Sequence, residues 1–222
     1  MIDIVFQNEN FVVCNKPGGV LSVPSRDRSD PRPCLGIELQ QHLRQNVLPV
    51  HRLDLEVSGL ILFALNPKAH SKAQGWFEKK TISKLYKATT SLQDFSHWPE
   101  QIKTVRDVID TNDHKMFLWK TQIQRGKKRS FESTHGEWAE TKAQIQSVDN
   151  GKVLWHLYPL TGKPHQLRLE LSRRGFPVEG DVLYGSKVKL PDKAGISLKA
   201  VLLDLTYVPD RLGLPEQIRL KD

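Results

Sequence analysis

Six consecutive apolar residues, Leu60-Ile61-Leu62-Phe63-Ala64-Leu65, constrain this chain more than any other feature. A short run of branched and aromatic residues, bounded here by Gly59 and by Asn66-Pro67, reads as a buried strand. The segment His51-Arg52-Leu53-Asp54-Leu55-Glu56 leads into it, so Asp54 is expected in a turn held by a rigid core. A carboxylate fixed in that way, beside Arg52, is a candidate nucleophile or acid/base group. The plainer reading is that Arg52 and Asp54 pair to pin the turn.

Elements recur along the rest of the chain. Ile4-Val5-Phe6 and Phe11-Val12-Val13-Cys14 flank a polar segment and predict an opening hairpin; Val20–Val23 is read as extended chain. Leu35, Leu39 and Leu43 predict a helix ending near Asn46. Asn66-Pro67 predicts a helix start, with Ala69, Ala73, Trp76 and Phe77 on one face. Leu85-Tyr86-Lys87-Ala88-Thr89 is read as a strand. Ala139, Thr141, Ala143 and Ile145 alternate with polar residues, and Asp149-Asn150-Gly151-Lys152 predicts the hairpin turn into Val153–Leu160. Pro164 is expected at the first position of a helix closed by Gly175, and Ser197–Val208 is read as one long strand. Strands and helices without strict alternation predict an α+β fold. No linker is visible, so residues 1–222 are read as a single domain with a poorly patterned insertion over 93–137.

The formal net charge is +8, most of it from the second half, and suits a polyanionic partner. Arg125-Gly126-Lys127-Lys128-Arg129 predicts a basic hairpin end, with Lys127, Lys128 and Arg129 as candidate phosphate contacts. No secretory signal or run of transmembrane length is visible, which predicts a cytoplasmic protein with no membrane role. The two cysteines and scattered histidines show no metal-ligand spacing, so no metal is expected.

Two more candidate sites stand out. Thr161-Gly162-Lys163-Pro164-His165-Gln166-Leu167-Arg168 places Lys163 and backbone N–H groups at a helix start, which attracts an anion, and Arg168 one turn inside. Its guanidinium could meet a carboxylate from elsewhere, Asp54 being the obvious one. Tyr86, between Lys84 and Lys87, offers an aromatic face with a polar tip.

Taken in order, six blocks resemble the RluA branch of the pseudouridine synthases. They are Asn15-Lys16-Pro17-Gly18-Gly19-Val20, His51-Arg52-Leu53-Asp54 with Ser58-Gly59, Lys84-Leu85-Tyr86-Lys87-Ala88, Ala139-Glu140-Thr141, Thr161 through Arg168, and Gly180-Asp181-Val182-Leu183-Tyr184-Gly185. The resemblance implies a standalone catalytic domain that converts uridine in rRNA or tRNA stem-loops to its C5-glycoside, with no cofactor and no metal. It implies a twisted, mixed, largely antiparallel sheet with flanking helices and a central active-site cleft. By resemblance, Asp54 is the catalytic carboxylate, Tyr86 stacks on the target uracil, Arg168 pairs with the aspartate, and Arg52 fills the space of the flipped base. His51, Lys163 and His165 join Lys127, Lys128 and Arg129 as expected RNA contacts. Because its first strand is read at the very start of the sequence, the small N-terminal RNA-binding domain of some relatives is not expected, and no protein partner is implied.

Four residues depart from the family pattern. Val57 stands where threonine is usual, Lys163 replaces an arginine, and Glu170 and Lys199 stand where histidine is usual. Lys163 keeps the charge but loses the bidentate fork. Glu170 is read as a surface residue pairing with Arg174 four positions on; facing the cleft instead, it would repel phosphate. Val57 and Glu170 motivate a competing reading, an RNA-binding or assembly module with weak turnover; a hydrolase built on Asp54 lacks a second carboxylate to activate water.

Overall fold

A computed structural model of the chain describes residues 2–27, 29–92, 116–191 and 194–221. The chain divides into two compact units. One comprises Met1–Lys84, Asp192–Gly195 and Lys199–Asp222; the other comprises Leu85–Pro191 and Ile196–Leu198. Each is α+β, with a sheet carrying helices.

In the first unit, strands β1 (Ile4–Gln7), β2 (Phe11–Lys16), β4 (Ser58–Ala64) and β10 (Leu198–Asp204) lie side by side. The short β3 (Leu48–Pro49) pairs with β4, and β11 (Gln217–Arg219) with β10. The β4–β10 pairing is parallel and the others are antiparallel, as expected of a mixed sheet. Leu60 through Ala64 are at most 1% exposed, so β4 is the buried strand that its composition predicts. Helix α2 (Pro67–Glu78) covers one face through Ala69, Ala73 and Trp76, and Trp76 lies 5.6 Å from the ring of Phe11. Its start follows the sequence: Asn66 Oδ1 accepts from the Ala69 N–H, and Pro67 opens the first turn. Phe63, on the alternate side of β4, lies against Gly36 of α1 (Leu35–Leu43).

Three boundaries differ from expectation. Helix α1 stops at Leu43 because Arg44 turns into the left-handed region, φ 52°. Of Val20–Val23, only Leu21 makes a β-bridge, to Cys34. Strand β10 ends at Asp204, whose carboxylate accepts from the Thr206 N–H and starts a turn in which Val208 N–H donates to Leu205 O.

The second unit is an antiparallel sheet in the order β5 (Ser83–Ser91), β9 (Lys152–Pro159), β8 (Glu137–Asp149), β6 (Met116–Arg125) and β7 (Ser130–Glu132). The β8–β9 turn is the expected one, with positive φ at Asn150 (49°) and Gly151 (72°). Ala139, Thr141, Ala143 and Ile145 are buried as predicted, on the face where Trp119, Trp155 and Phe176 stack edge to face. Helix α3 (Gln166–Arg173) contributes buried Leu167 and Leu171, and Gly175 (φ 84°) closes it. The helix starts two residues later than predicted. Pro164 lies in a turn where Gln166 N–H reaches Lys163 O, and His165 holds the N-cap position at φ 53°. Of the expected insertion over 93–137, residues 93–115 lie outside the described residues, and the remainder supplies β6, β7 and their basic hairpin end.

Candidate active site

Both neighbours of Asp54 are clamped, which fixes the turn carrying its half-buried side chain. Ser22, buried, hydrogen-bonds both ends of Leu53: its hydroxyl accepts from the Leu53 N–H (3.0 Å) and donates to Leu53 O (2.9 Å). Leu55 O accepts from the Gly19 N–H (2.9 Å) and from Lys16 Nζ (3.2 Å), and Val57 N–H returns to Asp54 O (3.2 Å). Gly59 follows at φ 111°, where a Cβ would sit 2.1 Å from Ala200 O; only glycine lets β4 approach β10 there. Val57 is itself 3% exposed, packed rather than facing solvent.

Lys16, to which the sequence assigns no role, is fully buried, and its ammonium donates to three carbonyls, of Pro17, Val20 and Leu55. Burial lowers its pKa from 10.5 to about 8, while Asp54 and then Glu56 oppose the fall. The unfolded chain keeps this proton up to pH 10.5 and the native protein releases it near pH 8. Stability should therefore rise between those values, by about 3 kcal/mol. Cys14, whose thiol burial pushes up to about 12, acts in the opposite sense. Comparison with Lys16→Met isolates the lysine: denaturant midpoints measured from pH 7 to 10.5 should lose the rising component. A parallel pH dependence in wild type and variant would contradict it.

Arg52 is exposed, as a residue meeting a partner must be. His51 is engaged within its own unit. Its Nε2 accepts from the Leu62 N–H (3.1 Å), its ring stacks on Phe77 at 5.0 Å, and burial and then Lys84 lower its pKa to about 3. A neutral ring so occupied holds the loop against β4 and offers no positive charge to phosphate.

In the second unit, Tyr86 sits in β5 opposite Leu157, 8% exposed. Arg168 is 1% exposed, enclosed within its unit. Asp181, also 1% exposed, grips it in a two-pronged ion pair, Nε to Oδ2 at 2.7 Å and Nη2 to Oδ1 at 2.8 Å. The guanidinium lies over the Tyr184 ring, 5.2 Å from its centre. Asp181 and Tyr184 were visible only as letters of the Gly180–Gly185 block; nothing local marks them as partners of Arg168.

Lys163 pairs with Glu137, and His165 contacts Tyr184 Oη and Arg125. Thr161 and Gln166 shape the turn between them: Gln166 Oε1 accepts from Thr161 Oγ1 and the Lys163 N–H, and Nε2 donates to Glu140 O and Thr141 Oγ1. Lys127, Lys128 and Arg129 are exposed at the β6–β7 end, where expected. Glu170 does pair with Arg174, but the surface reading is corrected. Glu170 is 0% and Arg174 5% exposed, and the Arg174 guanidinium sits 4.2 Å above the Trp119 ring. Lys199 is half-buried in β10, opposite Ser58. Among the described residues, no group of three His, Cys, Asp or Glu is placed to hold a metal, and no helix is long and apolar enough to cross a membrane.

Residues 10–173 match the family model described as RNA pseudouridylate synthase. The chain is 30% identical over 188 residues to the dual-specificity RNA pseudouridine synthase RluA of Vibrio cholerae, covering 82% of this chain and 68% of that one. It is 32% identical over 187 residues to the protein of the same description from Pasteurella multocida, covering 82% and 77%. The fold is similar to that of human RNA pseudouridylate synthase domain containing 1, with TM-score 0.74, 20% identity and coverage of 100% of this chain and 84% of that one.

Proposed function

As the chain belongs to the RNA pseudouridylate synthase family, we propose that it isomerises uridine in structured ribosomal or transfer RNA, with Asp54 as the catalytic carboxylate. The observation that carries the residue assignment is the clamped turn at Asp54, inside the matched segment, with both flanking residues tied by backbone and buried side chains. A reacting carboxylate gains from such fixing because the position is set before substrate arrives.

In the reaction the C1′–N1 bond breaks, the base turns, and C1′ bonds to C5; the C5 proton leaves to solvent and N1 gains one. Asp54 acts at C1′ or by first eliminating the base. A uridine inside a stem must be extruded, at a cost of a few kcal/mol. Exposed Arg52 offers a flat cation to take its place, and Tyr86 a ring for the uracil, stacking of this kind contributing about 1–3 kcal/mol. In this reading Arg168 is the residue that partners the catalytic carboxylate, its guanidinium held in one orientation by Asp181. The exposed Lys127, Lys128 and Arg129 offer the phosphate contacts. Burial of Glu170 against Arg174 weakens one motive for a module of low turnover, since a carboxylate so enclosed does not repel phosphate.

RNA transcripts bearing tritium at uracil C5 should release tritium to water with the protein, with no free uracil formed. Free uracil with a broken glycosidic bond would mean hydrolysis. Binding without tritium release, across ribosomal and transfer RNA pools, would instead support the assembly-module reading.

A further inference from the structure

The β6–β7 hairpin is wired to the Arg168 helix by hydrogen bonds whose direction follows from the groups involved. Arg125 Nη1 lies 3.0 Å from Nε2 of His165. A guanidinium only donates, so Nε2 carries the lone pair and the ring proton is on Nδ1. Nδ1 lies 3.2 Å from Tyr184 Oη and donates to it. The same oxygen accepts from the Ser130 N–H (2.9 Å) and passes its own proton to Ser130 O (3.0 Å). Ser130 Oγ donates to Pro164 O (2.7 Å), directly ahead of His165. Tyr184 and Ser130 are buried, and the Tyr184 ring is the surface on which the Arg168 guanidinium rests. Tyr184 N–H also returns to Asp181 O (3.1 Å), so the residue that grips Arg168 shares a turn with the hub.

At the other end of this chain of contacts, the hairpin presents Lys127, Lys128 and Arg129 to solvent. The tip is tight: Gly126 N–H bonds Arg129 O (2.9 Å), and a Cβ on Gly126 would lie 2.7 Å from that oxygen. Arg125 pairs with Ser130 directly behind this tip, so a load on the tip bears first on the two residues that contact His165, Tyr184 and Pro164.

We infer that Tyr184 and His165 are positioning residues through which RNA phosphate held at the hairpin tip sets the place of the Arg168 guanidinium. This rests on the assignment of Arg168 made above. It makes the hairpin part of the turnover step as well as of binding, and gives His165 a role other than direct contact with RNA.

Steady-state turnover on an RNA substrate tests it. Tyr184→Phe keeps the ring beneath Arg168 and removes the hub oxygen; kcat should fall about tenfold with KM changed less than twofold. Arg125→Gln, at an exposed position that carries no fold risk, should lower kcat about three- to fivefold. His165→Asn suits the left-handed backbone and keeps a donor near Tyr184, so it should retain more activity than His165→Ala. Exchanging Lys127, Lys128 and Arg129 for glutamine should raise KM, flatten its salt dependence and lower kcat, but should lower kcat no further when Tyr184→Phe is already present. Wild-type kcat in both Tyr184→Phe and Arg125→Gln, or additive effects of the tip and the hub, would overturn the inference while Arg168→Met remains inactive. Full turnover by Arg168→Met would overturn the assignment of Arg168 itself.

Discussion

Replacing Asp181 with alanine is expected to destabilise the protein by about 3–5 kcal/mol, the cost typical of removing one partner from a buried ion pair. Arg168 is 1% exposed, so Nε and Nη2 would lose their acceptors where water does not readily replace them. Against a total stability of about 5–15 kcal/mol, that loss should be plain in urea denaturation and is large enough to lower soluble yield. Asp181→Asn separates charge from shape. It keeps the backbone bonds of the turn, Asp181 N–H to Val178 O and Ser186 N–H to Asp181 O, and presents one amide oxygen to the guanidinium. Its NH2 group, however, faces a second donor. The asparagine variant should fold, be less stable than wild type, and lose turnover because Arg168 is no longer held in one orientation. A change below about 1 kcal/mol for alanine would mean that Asp181 contributes little to holding Arg168.

Much of the scaffold around these residues was legible in the sequence, for local reasons. Period-two burial in Ala139, Thr141, Ala143 and Ile145, the Asn66-Pro67 helix start and the Asn150-Gly151 turn are each settled within a few residues. Two misreadings arose where a distant partner decides. Pro164 looks like a helix start, but the side chain of Gln166 reaches Glu140 and Thr141 and shifts the first turn onward. Glu170 and Arg174 have the spacing of a surface pair, and only the Trp119 ring from β6 shows that they are enclosed. The site divides in the same way. Asp54, Tyr86 and Arg168 were named from the order of motifs. The groups that fix them, Ser22 on Leu53, Lys16 on Leu55 and Asp181 on Arg168, come from separate segments of chain, and no sequence periodicity links them.

Asp54→Asn is expected to abolish turnover while leaving the fold intact, and the reason lies in what holds the turn. Ser22 bonds the backbone of Leu53, Gly19 and Lys16 bond Leu55 O, and Val57 bonds Asp54 O; none of these uses the Asp54 carboxylate. Asparagine matches the shape and removes the negative charge and the nucleophile. Tritium release from C5-labelled RNA should fall by about four orders of magnitude or more, equivalent to at least about 5 kcal/mol of lost transition-state stabilisation. RNA affinity at fixed salt should stay within a few-fold of wild type, because phosphate contacts dominate it and Asp54 makes none of them. One stability effect is expected and has a definite sign. Asp54 favours the protonated form of Lys16, so its neutralisation lowers the Lys16 pKa further below about 8. At pH 7 the charged ammonium then costs more to keep buried, and the variant should be slightly less stable there, the gap narrowing as pH rises and Lys16 deprotonates. Turnover within tenfold of wild type would exclude Asp54 as the reacting carboxylate. Loss of cooperative unfolding would mean that its charge, and not the clamps on either side, shapes the turn.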